Sequence, residues 1–204
     1  MGFYAEQVLP RLIDRMCGSS GMVRWRQRTS AGLEGQLVEI GFGTGLNLAY
    51  LSTSVTGVYA VEPSATALRL ARRRNPDFDA RVTHVGLDGG SILLDDESCD
   101  AALCTFTLCT VPDPQRALRE LHRVLRPGGR FHFLEHGIAP DDATVRWQRR
   151  LDPWERRLAD GCSLTRDPLA LVADAGFKVE VVRQRYAKGP KPWSYFTLGH
   201  ATKV

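Results

Sequence analysis

The stretch Leu37–Leu51, "LVEIGFGTGLNLAYL", places Gly41, Gly43 and Gly45 at alternate positions directly after an apolar run. The run reads as a buried strand, and the glycines as a tight turn whose backbone a ligand can approach closely. A helix is expected to follow, from about Thr44 to Ser52. The dinucleotide fingerprint Gly-x-Gly-x-x-Gly needs a small residue at position 46, where this chain has Leu46. Glu39, at the end of the strand, would repel a pyrophosphate and attract an ammonium or a sulfonium. Glu62 closes the next apolar segment, "GVYAVEP", and an ionised carboxylate there can accept both ribose hydroxyls. Glycines and acids together favour a nucleoside with a cationic tail, S-adenosylmethionine, over a dinucleotide.

Outward from this loop, strands alternate with helices. Ser64 caps a helix that runs to Arg74 and ends at Asn75-Pro76. "ARVTHVG" is a third strand, residues 88–98 a polar connection, and "DAALCTFT" a fourth strand with almost no polar interruption. "DPQRALRELHRVLRPGG" is the clearest helix: Asp113 caps it, Pro114 opens it, Leu118, Leu121, Val124 and Leu125 line one face, and residues 126–129 close it. "RFHFLEHG" is a fifth strand. Such repetition implies right-handed crossovers and a parallel sheet covered on both faces. Residues 141–166 read as inserted short helices, with a second start at Asp152-Pro153. A capped helix, "RDPLALVADAGF", then precedes "KVEVVRQRY" and "WSYFTLGHATK", joined by "AKGPKP" as a hairpin. The reading is one domain over 1–204, with an N-terminal helical segment over 1–34 and an inserted lid over 137–166.

The 204 residues carry a net charge of +4, with 23 Arg and 4 Lys scattered among acids, so no nucleic-acid partner is indicated. The sequence lacks an apolar stretch near the ~18 residues of a membrane helix, and its start lacks the layout of a secretory signal. A cytoplasmic location is therefore expected. Five cysteines, at 17, 99, 104, 109 and 162, show no CxxC spacing. They read as reduced thiols, Cys104, Cys109 and Cys162 as packing residues, and no metal site is expected.

"VEIGFGTG", "VEPS" and "RELHRVLRPGGRFHFLEH" resemble the class I S-adenosylmethionine-dependent methyltransferases, from about Gly35 to the C-terminus. "CTFTLCTV", "FLEHG", "LDPWE" and "DGCSLTRD" are similar to one branch, the methyltransferase-like 7 proteins, which includes thiol S-methyltransferases. The resemblance implies an α/β, Rossmann-like, doubly wound sheet of seven strands, mostly parallel with a C-terminal antiparallel hairpin. It implies backbone contact of Gly41, Gly43 and Gly45 with the cofactor, Glu62 on the ribose and Asp88 on the adenine amino group. The family's "GDAE" stands here as "LDGG". Membrane-bound members of the branch carry an N-terminal hydrophobic anchor that this sequence does not match.

Methyl transfer from a sulfonium is an in-line displacement, so alignment is the main requirement. His136, at the end of the fifth strand, has the chemistry of a base near neutrality, and Asp160 in "ADGCSLTR" is a second candidate. Glu135 is expected to orient His136 or hold substrate. Trp147, Leu151, Trp154 and Leu158 form an apolar stripe at helical spacing, from which Trp147 and Trp154 are expected to wall an apolar acceptor pocket. The arginines around that stripe also admit peripheral contact with anionic lipid. The N-terminal helix, with Phe3, Tyr4, Val8, Leu12 and Ile13, is expected to close over the cofactor. The expected substrate is a small molecule, first a thiol. An amine, hydroxyl, quinone carbon or phospholipid headgroup stays open, as do an NAD-dependent oxidoreductase and a non-catalytic cofactor-binding protein.

Overall fold

The computed structural model describes residues 4–204. At its centre lie β1 (Gly35–Ile40), β2 (Val55–Val61), β3 (Val82–Gly86), β4 (Cys99–Thr105), β5 (Leu125–His136), β6 (Phe177–Tyr186) and β7 (Tyr195–Lys203). They form one sheet in the order β3-β2-β1-β4-β5-β7-β6. Strands β1 to β5 pair in parallel, and β7 runs antiparallel to both of its neighbours. This is the doubly wound sheet with a closing hairpin that the alternation of elements predicts.

Helices α1 (Leu9–Cys17) and α2 (Ser20–Ser30) precede the sheet. Around it lie α3 (Ala65–Arg74), α4 (Phe78–Arg81), α5 (Pro114–Val124), α6 (Asp142–Leu158), α7 (Pro168–Asp174) and the short α8 (Lys191–Ser194) inside the hairpin connection. Alternation along β1 sends Val38 and Ile40 into a core with Leu118 and Leu121 of α5 and Val172 of α7. Leu37 faces the opposite core with Phe42, Ala71 of α3 and Leu103. The strand is therefore apolar on both sides, as a central parallel strand must be. The caps expected at Ser64 and Asp113 form: Ala67 N–H donates to Ser64 Oγ at 3.1 Å, and Arg116 N–H to Asp113 Oδ1 at 2.9 Å.

Three local expectations fail for identifiable reasons. Residues 44–52 form a single 3₁₀ turn, Leu48–Tyr50, because Gly43 and Gly45 hold φ of +58° and +68° and Leu51 is extended. The helix before β5 stops at Val124, since Leu125 is already extended, so "RPGG" belongs to the start of β5. Finally, α6 runs through Pro153 unbroken. Its inward positions are polar: Thr144, Gln148 and Asp152, spaced four apart and buried. Gln148 accepts from Ala139 N–H at 2.9 Å and donates to the Gly137 and Pro192 carbonyls at 2.9 and 3.0 Å. Asp152 accepts from Ser163 Oγ and Leu164 N–H at 2.9 and 2.6 Å. These bonds hold the helix across the proline.

His132 on β5 and His200 on β7 face each other, rings stacked 3.8 Å apart and 4° from parallel. Burial and the neighbouring imidazole push His132 down to about 4. Unfolded, it would take up a proton near its ordinary value of 6.5, so between these values the unfolded chain binds more protons. Stability contributed by neutral His132 is thus complete above pH 6.5 and is lost as pH falls toward 4, about 3 kcal/mol in all. Urea denaturation at pH 7 and pH 4.5 checks this, and His132→Gln is expected to flatten the dependence.

Candidate active site

Strand order reverses between β1 and β4, so the ligand crevice of this sheet lies outside their carboxyl ends. The glycine loop is there, and its three glycines do different work. A side chain on Gly41 (φ +67°) would collide with Thr107, and one on Gly45 would press on Asn75, Ala71 and Phe42. Gly43 meets nothing closer than 3.8 Å, so it is the glycine that faces open space.

Glu39 is 1% exposed, and burial pushes it up to about 8, against the opposing pull of Asn47 and Arg26. Its Oε1 accepts from Asn47 Nδ2 at 2.6 Å, whereas its Oε2 is buried without a partner. A buried carboxylate oxygen left bare suits a cationic ligand, whose charge would offset the cost of burial. Glu62 ends β2 and accepts from Gly43 N–H and Ser64 N–H, both at 2.8 Å, one on each oxygen. Each oxygen keeps a lone pair for a further donor. Burial raises Glu62; its two N–H partners oppose that, and Asp160 adds to it. Asp160 follows α6, exposed and in a left-handed conformation (φ +50°). Asp88 follows β3, exposed, its Oδ1 accepting from Gly90 N–H at 2.7 Å.

Residues that the sequence did not single out complete this end. Arg26 of α2 is 4% exposed and donates to Asn47 Oδ1 at 2.6 Å, to Thr105 Oγ1 at 3.3 Å and to the Cys17 carbonyl at 3.2 Å. Nothing marks it among 23 arginines. Asp14 of α1 accepts from Arg74 at 2.8 Å and from Thr44 Oγ1, which ties α1 to the glycine loop. Phe3 lies outside the described residues, while Val8, Leu12 and Ile13 are 42–46% exposed.

The acceptor side departs further from expectation. Glu135 is fully buried and accepts from the N–H groups of Thr107, Leu108 and Cys109 at 2.8, 3.0 and 3.4 Å and from the Cys104 thiol at 3.2 Å. Three of these bonds fall on Oε1 and one long one on Oε2, so Glu135 ties the loop after β4, and its burial keeps it away from solvent. That loop begins at Phe106, whose φ of +54° is costly for a bulky residue. Trp147 and Trp154 are 56% and 66% exposed, because the polar stripe of α6 faces inward and turns the apolar stripe out. Among the described residues, both stand mostly in solvent instead of walling an acceptor pocket.

His136 bonds through Nε2 to Cys162 Sγ at 3.1 Å, and its Nδ1 is buried without a partner. Cys109 Sγ joins them, all three ligand-type atoms lying within 4.8 Å of one another. Cys109 and Cys162, expected as packing residues, thus meet the candidate histidine. Adjacency in the fold, not in the chain, creates this cluster. A broad depression of about 560 Å³ lies at the opposite, amino ends of β1 and β4, but Asp100 and Arg126 there pair with each other.

The glycine loop, the two strand-end acids and the strand order are similar to those of the class I S-adenosylmethionine-dependent methyltransferases, and part of the chain matches a methyltransferase domain. A family model described as a methyltransferase domain matches residues 38–133. The chain is 34% identical over 164 residues to the thiol S-methyltransferase TMT1A of Homo sapiens, covering 77% of this chain and 65% of that protein. It is 37% identical over 120 residues to the demethylmenaquinone methyltransferase of Clavibacter sepedonicus, covering 57% and 49%. Among solved structures, a S-adenosylmethionine-dependent methyltransferase of Thermotoga maritima, described as a possible histamine N-methyltransferase, superposes with a TM-score of 0.67 at 26% identity, covering 99% of this chain and 96% of that one. Among the described residues no helix is long and apolar enough to cross a membrane.

Proposed function

We propose that the chain transfers the methyl group of S-adenosylmethionine to a small apolar acceptor, a thiol. The observation that carries the donor is the buried, unpartnered Oε2 of Glu39 beside the open backbone at Gly43. When bound, the cofactor supplies a methyl group on a positively charged sulfur that departs as a neutral thioether. Glu39 takes its ammonium, Glu62 its ribose and Asp88 its adenine amino group. A pyrophosphate would meet Glu39 head-on, which disfavours NAD. The thiol rests on the similarity to TMT1A, and the chain spans only 65% of that protein's length. A thiol needs little help from a base, being partly ionised near neutrality with a pKa of ~8.5. His136, held through Nε2, serves here to position the acceptor, and Asp160 is the carboxylate open to its proton.

Five unpaired cysteines support a cytoplasmic, reducing setting. The outward Trp147, Trp154 and Leu158, among Arg146, Arg149, Arg150 and Arg157, support peripheral contact with anionic lipid.

The test is a panel of thiols, amines, phenols and a quinol, scored by production of S-adenosylhomocysteine. Thiols are expected to turn over; turnover of amines or the quinol without thiols overturns the acceptor. Tryptophan quenching is expected to saturate with S-adenosylmethionine and not with NADH, and the reverse overturns the donor.

A further inference from the structure

We infer that Cys109, His136 and Cys162 form a three-ligand site for Zn²⁺ whose fourth position receives the acceptor thiol. The second half of this inference rests on the thiol reading above. Two thiol sulfurs and one imidazole nitrogen converge within 4.8 Å, with His136 Nε2 3.1 Å from Cys162 Sγ. A tetrahedral zinc, with Zn–S of about 2.3 Å and Zn–N of about 2.0 Å, sets adjacent ligand atoms roughly 3.5–3.8 Å apart. Small side-chain adjustments reach that geometry. The donor set selects a soft or borderline cation over Mg²⁺ or Ca²⁺, which want oxygen. The neighbouring Glu135 is not among the converging ligand atoms, and its oxygens turn to the N–H groups of Thr107, Leu108 and Cys109.

Each ligand is braced from behind. Cys109 is fixed by its N–H on Glu135 and by its carbonyl, which accepts from Ser163 N–H at 2.8 Å. Ser163, next to Cys162, is held in turn by Asp152 of α6. His136 sits at the end of β5, in register with Phe196. Cys109 and Cys162 thus come from two loops that bond directly to each other, at the carboxyl end of the sheet where His136 stands. Cys17 at the end of α1 stands outside the cluster.

Three protein ligands and one exchangeable position is the arrangement of a catalytic zinc. An acceptor R–SH entering that position gives up its proton, through Asp160 to solvent, since a coordinated thiol is deprotonated. Its sulfur then attacks the methyl carbon. The new S–C bond forms as the bond from that carbon to the sulfonium breaks, and the electron pair of that bond stays on the departing sulfur. The released proton balances the lost sulfonium charge. The product is a neutral thioether, a weaker ligand than the thiolate.

The test uses the full chain, purified without chelator, then stripped and reloaded with Zn²⁺ or Co²⁺. About one zinc per chain is expected. The cobalt form is expected to show thiolate-to-cobalt charge transfer and tetrahedral d–d bands that shift on adding a thiol but not the matching alcohol. Cys162→Ser, chosen because Cys162 is less buried than Cys109, and His136→Ala are each expected to lower zinc affinity at least ~10-fold, with circular dichroism confirming the fold. Cys17→Ser is expected to retain zinc; loss of zinc there would mean a closed four-ligand site and overturn the open position. Neither zinc nor a cobalt charge-transfer band in the parent chain overturns the site altogether. Zinc bound with methyl transfer to amines alone rejects the thiol reading and leaves the metal site standing.

Discussion

Glu62→Ala is expected to weaken S-adenosylmethionine binding by roughly 100-fold, about 3 kcal/mol, measured by titration calorimetry. The carboxylate stands at the end of β2 with each oxygen already fixed by a backbone N–H, from Gly43 and Ser64. It is therefore set in place before any ligand arrives, and its remaining lone pairs meet the ribose without loss of side-chain freedom. Removing it costs those two bonds to the ligand and loosens the glycine loop as well. Glu62→Gln keeps one good acceptor and is expected to lose less, about tenfold. Unchanged affinity in Glu62→Ala would remove the ribose assignment. A large fall in melting temperature with unchanged affinity would make the residue a brace for the loop alone.

Glu135→Ala acts on stability instead. It strands the N–H groups of Thr107 and Leu108, with that of Cys109 losing a longer bond, in a site with no solvent exposure. Buried donors without acceptors cost about 1–3 kcal/mol each, so a loss of roughly 4 kcal/mol is expected from chemical denaturation. The left-handed turn at Phe106 depends on the same anchor, because the strain there persists only while the following N–H groups are held. Glu135→Gln retains an accepting oxygen but turns an amide donor toward the N–H cluster, and about 2 kcal/mol is expected. If Glu135→Ala kept the parental stability while KM for the acceptor rose, the residue would belong in the acceptor pocket after all.

The sheet was legible because its signals are local. The apolar run of β1, the caps at Ser64 and Asp113 and the glycine loop each act within a few residues, and each formed. The positions of Glu39 and Glu62 were legible for the same reason: both sit at strand ends, where the fold fixes direction. The acceptor side depends on which face of α6 turns inward, and apolar spacing misled there. Gln148 and Asp152 point in because the backbone groups of Gly137, Ala139, Pro192 and Leu164 need partners. That demand outweighs the burial of Trp147 and Trp154, which stay out. The meeting of Cys109, His136 and Cys162 carries no local signal, since the segments that hold them touch only in three dimensions.

The inward polar stripe of α6 has a bearing on how such a domain changes over time. Gln148 and Asp152 wire the helix to main-chain atoms, which any substitution elsewhere leaves in place. Except for Arg156, which bonds Asp152 and Ser163, the outer surface is thereby free to drift: its tryptophans and other arginines can be exchanged for other groups without disturbing the loops that meet at Ser163 and Cys109. The make-up of the outer face of α6 and the meeting of the loops beneath it are, in this architecture, separately adjustable traits.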